Sequence, residues 1–307
     1  MTFTVALPDQ GMLHRLSPAD PGVEFIVWTT DDTPPGRRVD LLVLPYSVSS
    51  AALPRLAAAD IAVVQSQALG FDGVAGALPP GITYCNAVGV HEGPTGELAV
   101  GLILESQRGL DVAARAQPVG SWHRDWHPGL LGASVLVIGV GGVGAAIAAR
   151  LAPFEVELTR VARSARADAR GEVHALQELP RLLPSADVVI LALPLTAETR
   201  GMVDDRFLGR LKHGALLVNV SRGAIVETDA LTAAVATGAV RAALDVVEPE
   251  PLPSDHPLWS LPGVIITPHL GGNVSSMPSR VDPLVREQIS RLRRGLPPLN
   301  IVVEQRT

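Results

Sequence analysis

The 307-residue chain is poor in several residue types, and each shortage excludes something. Cys85 is the only cysteine, so no disulfide can join two positions of the chain and no multi-cysteine metal site can form. In the apolar segment TYCNAV it reads as a buried structural thiol, not a nucleophile. Lys212 is the only lysine; every other basic side chain is an arginine. Schiff-base chemistry would need that one residue, and phosphate recognition falls to arginine or backbone. There is no basic block and the net charge is −6, so nucleic acid is not an expected partner. The opening MTFTVALPDQ lacks a positive region followed by a long apolar one, which predicts no signal peptide. Residues 130–149 carry no charge, but Gly139, Gly141, Gly142 and Gly144 and the β-branched run before them argue against a membrane span. No metal site is expected, and the sum is a soluble, cytoplasmic protein.

What is present is a repeated β/α pattern. Apolar runs at 4–7, 24–28, 41–44, 61–65 and 82–85 read as strands separated by turns and a helix-like 51–59, hence a parallel sheet. A long helix is predicted from Pro94 to about Gln117, with Pro94 near its first position. A second series has strands at 135–138, 156–161, 188–192, 216–220, 242–246 and 264–267, with helices such as 145–151 and 229–237. Six strands with intervening helices match a full doubly wound dinucleotide domain. One more helix, 285–295, and a final PPLNIVV are too short for a domain and are expected to return to the first one. The expected fold is α/β: two doubly wound parallel-sheet domains, a Rossmann nucleotide domain (97–280) inserted into a flavodoxin-like substrate domain (1–96, with 281–307 packing back on it).

The segment ASVLVIGVGGVGAAIAARL, residues 133–151, carries the most information. An apolar strand runs into Gly139, Gly141 and Gly144 and then into an Ala-rich helix, the order a dinucleotide fingerprint requires. The helix N-terminus at Gly142 and Val143 would present unpaired N–H groups and a positive dipole end to a pyrophosphate. Three segments downstream each end or follow a strand: NVSRGAIVETDAL (219–231), ALDVVEPEPLP (243–253) and VIITPHLGG (264–272). Ligands of open α/β sheets bind outside the carboxyl ends of strands, so Arg222, Glu250 and His269 should converge. Arginine offers a two-pronged donor to a keto-acid carboxylate, histidine exchanges a proton with a carbonyl oxygen, and a carboxylate beside that histidine favours imidazolium and fixes its tautomer.

With LALPLTAETRGMV (191–203), NVSRG, DVVEPEP and TPHLGG in this order and spacing, the chain resembles the D-isomer-specific 2-hydroxyacid dehydrogenase family. The resemblance implies an NAD(P)-dependent enzyme acting on a small 2-keto or 2-hydroxy acid, and a homodimer. It makes Arg222 the substrate-orienting arginine, His269 the acid/base and Glu250 its partner. It places Asp245 against the nicotinamide carboxamide, and Pro194, Thr199 and Val220 along the cofactor. QALGFDG resembles the loop whose backbone amides, at Leu69 and Gly70, hold the substrate carboxylate. Tyr46 and Ser47 either face the substrate or start the next helix. The cluster Trp122, His123, Trp126 and His127 is expected to pack where the chain enters the nucleotide domain, in a region that can reach a partner subunit in this family; the remaining histidines are expected to be structural or solvated.

One departure bears on the cofactor. NAD-preferring members carry an acidic residue at the end of the second strand, for the ribose hydroxyls. Here that position falls at Ala162, followed by Arg163, Ser164 and Arg166, which resembles the NADP-preferring glyoxylate/hydroxypyruvate reductase branch. The expected cofactor is NADP(H) over NAD(H), with Asp168 as the rival candidate for the acidic position. A second departure, Glu155 before the second strand, is expected to change a turn and not the chemistry. Two other readings use the same scaffold: an NAD-dependent member acting on a larger or phosphorylated substrate, and a nucleotide-sensing regulator. The first domain shows no basic cluster for a second phosphate, and the intact Arg222, Glu250 and His269 set argues against a regulator.

Overall fold

A computed structural model describes residues 2–304; residues 1 and 305–307, at the ends of the predicted first domain, lie outside the described residues. The chain forms two compact units, one running to His91 and resuming at Val274, the other spanning Glu92–Asn273. Both changes of unit come slightly before the predicted bounds. The helix Glu92–Gln107 starts ahead of Pro94 and buries Ala99, Leu102 and Ile103 with the second unit. The helix Pro278–Arg293, longer than predicted, buries Val281, Val285 and Ile289 in the first.

The first unit opens with β1 (Phe3–Leu7), β2 (Val23–Val27), β3 (Val39–Val43), β4 (Ile61–Gln65) and β5 (Thr83–Cys85). The second carries β6 (Ser134–Ile138), β7 (Glu157–Ala162), β8 (Arg166–Asp168), β9 (Gly171–Ala175), β10 (Val188–Leu191), β11 (Ala215–Asn219), β12 (Val240–Leu244) and β13 (Val264–Ile266). A last strand, β14 (Ile301–Glu304), returns to the first unit. The first sheet is ordered β14-β5-β4-β3-β1-β2 and the second β13-β12-β11-β10-β6-β7-β9-β8. Apart from β14 and β8, which pair antiparallel, the strands are parallel. The order 2-1-3-4-5 is flavodoxin-like, and 3-2-1-4-5-6 across β9-β7-β6-β10-β11-β12 is that of a dinucleotide-binding sheet. Inner strands bury both faces, as parallel sheets covered by helices must: Val135 and Val137 pack on one side of β6, Leu136 and Ile138 on the other.

Four local expectations change. The predicted helix 94–117 breaks at Gly109, whose φ of 62° is left-handed, and resumes as Leu110–Ala116. A side chain on Gly109 would run into His127. Residues Ser50–Ala58 wind as a 3-10 helix around Pro54, which cannot donate to an α-helical ladder. The tail IVV is an edge strand on β5. The hairpin β8–β9 was not predicted, because β8 is exposed along its length and shows no apolar alternation.

Candidate functional site

Order reverses in the second sheet between β6 and β10, and the glycine turn lies at the carboxyl end of β6. Gly139 has φ 107°, and a Cβ there would sit 2.1 Å from the Ala192 carbonyl oxygen. A Cβ on Gly144 would sit 1.8 Å from the Gly139 oxygen, so the third glycine lets the helix Gly142–Leu151 close on the strand. A Cβ on Gly141, by contrast, would meet nothing within 4 Å. Gly141 caps the helix without a side-chain bond, and Gly141 and Gly142 are exposed. A backbone open to close approach at a helix N-terminus fits a dinucleotide pyrophosphate.

Three loops supply the candidate chemistry. At the end of β11, buried Asn219 accepts from Ser221 N–H (3.0 Å) and donates from Nδ2 to the Arg222 carbonyl (2.9 Å), while Ser221 Oγ accepts from Leu193 N–H (3.0 Å). This fixes the backbone on either side of half-buried Arg222. Gly223 follows because a Cβ there would lie 1.9 Å from the Val247 carbonyl oxygen, in the loop after β12 that carries Glu250. At the end of β13 the chain turns through His269, whose φ of 54° is left-handed for a residue with a side chain. Its N–H donates to the carbonyls of Asp245 (2.9 Å) and Thr267 (3.0 Å). Its Nδ1 lies 2.6 Å from Glu250 Oε1 with both side chains about half exposed, so Nε2 is the nitrogen available to a ligand. A histidine fixed through its backbone N–H and through Nδ1 is held as a positioned acid/base would be.

Asp245 is buried and holds this loop. Its Oδ1 accepts from Thr267 Oγ1 (2.6 Å) and Leu270 N–H (2.7 Å), its Oδ2 from Gly271 N–H (2.9 Å). Thr199 is likewise buried and engaged locally, donating to the Pro194 carbonyl (2.8 Å) and accepting from Thr196 N–H (2.7 Å). Val220 is buried and Pro194 exposed. Sequence reasoning passed over Asn219, Gly223 and Thr267 as holders of the site; a polar Asn closing the apolar strand ALLVN was the available signal.

β7 ends at Ala162, and no carboxylate stands there. Arg163, Ser164 and Arg166 follow, all exposed. Asp168 sits at the end of β8 in a two-pronged ion pair with Arg160 of β7, at 2.9 Å on each oxygen. The guanidinium of Arg160 holds the Asp168 carboxyl below the usual carboxylate range.

In the first unit, the loop after β4 is tied down through its carbonyls. Ala87 N–H donates to Ala68 O (2.9 Å), Asn86 Nδ2 to Leu69 O (2.8 Å) and His91 Nε2 to Gln67 O (2.5 Å). The amides of Leu69 and Gly70 have no partner among the described residues, which suits a carboxylate acceptor. Tyr46 stacks on His91 with ring centroids 5.5 Å apart, so it joins this loop's support. Cys85 is fully buried, and burial pushes its thiol up to about 12, which leaves it unreactive.

One expectation is overturned: Trp122 (88% exposed) and Trp126 (fully exposed) do not pack within the chain. Leu110, Val112, Val119 and Leu131 of the same stretch are exposed too. Among the described residues no helix is long and apolar enough to cross a membrane.

Residues 100–271 match the family model described as D-isomer specific 2-hydroxyacid dehydrogenase, NAD binding domain. A glyoxylate reductase of Korarchaeum cryptofilum is 32% identical over 98% of this chain and 95% of that protein. Among solved structures, a D-isomer specific 2-hydroxyacid dehydrogenase family protein from Aeromonas salmonicida superposes with a TM-score of 0.85 at 28% identity, covering 99% of each chain. A D-isomer specific 2-hydroxyacid dehydrogenase from Xanthobacter autotrophicus, solved with NADPH and MES, has a TM-score of 0.81 at 29% identity over 98% of each chain.

Proposed function

The chain belongs to the D-isomer specific 2-hydroxyacid dehydrogenases, NAD(P)-dependent enzymes of small 2-hydroxy and 2-keto acids, and on that premise we propose that it reduces a 2-keto acid of glyoxylate or hydroxypyruvate type with NADPH. The observation that carries this reading is the Glu250–His269 hydrogen bond, in the same sheet-end loops as Arg222.

In this reading Arg222 binds the substrate carboxylate and keto oxygen through its planar fork. In the first unit, the Leu69 and Gly70 amides offer an anion two donors. Nicotinamide, when bound, supplies the hydride that the keto carbon accepts. His269 donates the Nε2 proton to the keto oxygen, giving the D-2-hydroxy acid, and Glu250 steadies the ring through Nδ1. Asp245 and Thr199, which resemblance assigns to the cofactor, act here by holding the loops that would line it. Pro194 and Val220 complete that lining.

The NADPH preference rests on the missing carboxylate at the end of β7 and on Arg163, Ser164 and Arg166 after it. The NADPH-bound relative from Xanthobacter autotrophicus supports it by likeness. A homodimer belongs to the same reading: a second copy of this chain would cover Trp122, Trp126 and the exposed apolar residues around them. The cytoplasm is the proposed compartment.

A panel of 2-keto acids with NADPH and NADH, followed at the reduced-nicotinamide absorbance band, tests the activity. We expect glyoxylate or hydroxypyruvate to consume NADPH faster than NADH. Nucleotide binding without turnover of any keto acid would leave a sensor instead. Arg222→Lys keeps the charge but loses the fork, and should lower kcat/KM at least about tenfold with cofactor binding unchanged.

A further inference from the structure

The ion pair between β7 and β8 does not belong to the catalytic loops, yet it encloses the residues proposed to select the cofactor. Arg160 is an interior arginine, 7% exposed, and in the β6–β7 register it lies opposite Val137. Its Nη1 and Nη2 meet the two Asp168 oxygens at 2.9 Å, and Nη2 also donates to the Glu172 carbonyl (3.2 Å). Asp168 Oδ1 accepts as well from Arg170 N–H (2.8 Å). Arg166 stands two residues before Asp168 on β8, and side chains two apart on a strand share a face. Arg166 is thus the neighbouring cation for Asp168, but each carboxylate oxygen is already engaged by Arg160. Among the described residues Arg166 makes a single long bond, 3.4 Å to the Ser164 carbonyl.

We infer that Arg160 is a positioning residue for cofactor selection: by holding Asp168 in a closed ion pair, it keeps Arg166 available to a 2′-phosphate. Without Arg160, Asp168 would draw Arg166 into a pair along the strand. The one carboxylate between β7 and β9 would then act twice against a phosphate, by occupying its cation and by repelling it. This explains why an acidic residue can sit so near a 2′-phosphate site. The inference rests on the NADPH reading above.

Calorimetric binding of 2′,5′-ADP and 5′-AMP to the full chain tests it without turnover. Wild type should bind 2′,5′-ADP more tightly. Arg160→Met, which fills the same space without charge, should weaken 2′,5′-ADP about tenfold and 5′-AMP by less than about twofold. Arg160→Met combined with Asp168→Asn should restore 2′,5′-ADP binding to within about threefold of wild type, because the competing carboxylate is gone. Equal weakening of both nucleotides in Arg160→Met would make the pair merely structural and overturn the inference; so would failure of the double variant to recover. Should Arg160→Met not fold, Asp168→Asn alone decides: 2′,5′-ADP affinity should hold or rise, and a fall overturns the proposal. A wild type that binds 5′-AMP as tightly as 2′,5′-ADP refutes the NADPH reading and this inference together. A wild type that prefers 2′,5′-ADP, with Arg160→Met unchanged, refutes this inference alone.

Discussion

The ends of β11, β12 and β13 are held from within, whereas the segment beyond β7 is held at its edge. Asn219 is buried and binds the backbone of the loop it precedes, and buried Asp245, just after β12, binds that of the loop after β13, so Arg222 and His269 stand on fixed supports. Arg163, Ser164 and Arg166 lie exposed on a short hairpin anchored by one ion pair. The two tasks proposed for them differ in tolerance. Proton transfer needs donor and acceptor within hydrogen-bond reach at a set angle, and a small displacement is costly. Attraction between arginines and a phosphate falls off slowly and accepts several geometries, so an exposed edge suffices.

This contrast breaks most sharply at His269. His269→Ala should lower the rate of keto-acid reduction by about 10²–10⁴-fold, read as kcat, with nucleotide affinity unchanged. A loss under about tenfold would put the proton donor elsewhere. The internal support is tested by Asp245→Asn, which turns an amide donor toward N–H groups that a carboxylate now accepts. With three charge-assisted bonds at stake, we expect a loss of about 3 kcal/mol or more in urea unfolding, together with a fall in kcat. If stability held, the loop after β13 would not depend on Asp245. At the edge, Arg163→Ala should reduce the ratio of NADPH to NADH kcat/KM by about tenfold and leave the melting temperature within the scatter of wild type. Equal losses with both cofactors would remove the distinction between the two regions.

How far the two regions could be read from sequence follows the same division. Strands buried on both faces announce themselves as apolar runs, so β1 to β7 and β10 to β13 were legible to within a few residues, and the glycines of 139–144 marked the turn. That Arg222, Glu250 and His269 lie in the loops after β11, β12 and β13 was legible because each follows an apolar run. The hairpin β8–β9 was not, since RADARGEV carries neither alternation nor a long apolar run; its registration depends on Val173 alone being buried and on an ion pair across eight positions. The break at Gly109 was missed because glycine inside a helical pattern is tolerated elsewhere on the same helix, at Gly101. The exposure of Trp122 and Trp126 was missed because aromatic content reads as core.

The smallest effect lies at the entrance to β7. Glu155 has φ 57°, a left-handed conformation that a side chain disfavours. Glu155→Gly should raise stability by about 0.5–1 kcal/mol, seen as a higher urea midpoint, with catalysis and cofactor ratio untouched. A decrease would mean that the Glu155 side chain has a role beyond the turn.

The lone lysine has a practical consequence. Lys212 sits in the exposed connection between Leu208 and β11, with its ammonium on Asp187. A lysine-specific endoprotease therefore has one place to cut the chain. That cut would part the glycine turn, in the piece ending at residue 212, from Arg222, Glu250 and His269, all in the piece beginning at residue 213. Nicked protein would report directly whether the two halves of the nucleotide-binding unit stay associated once their covalent link is gone.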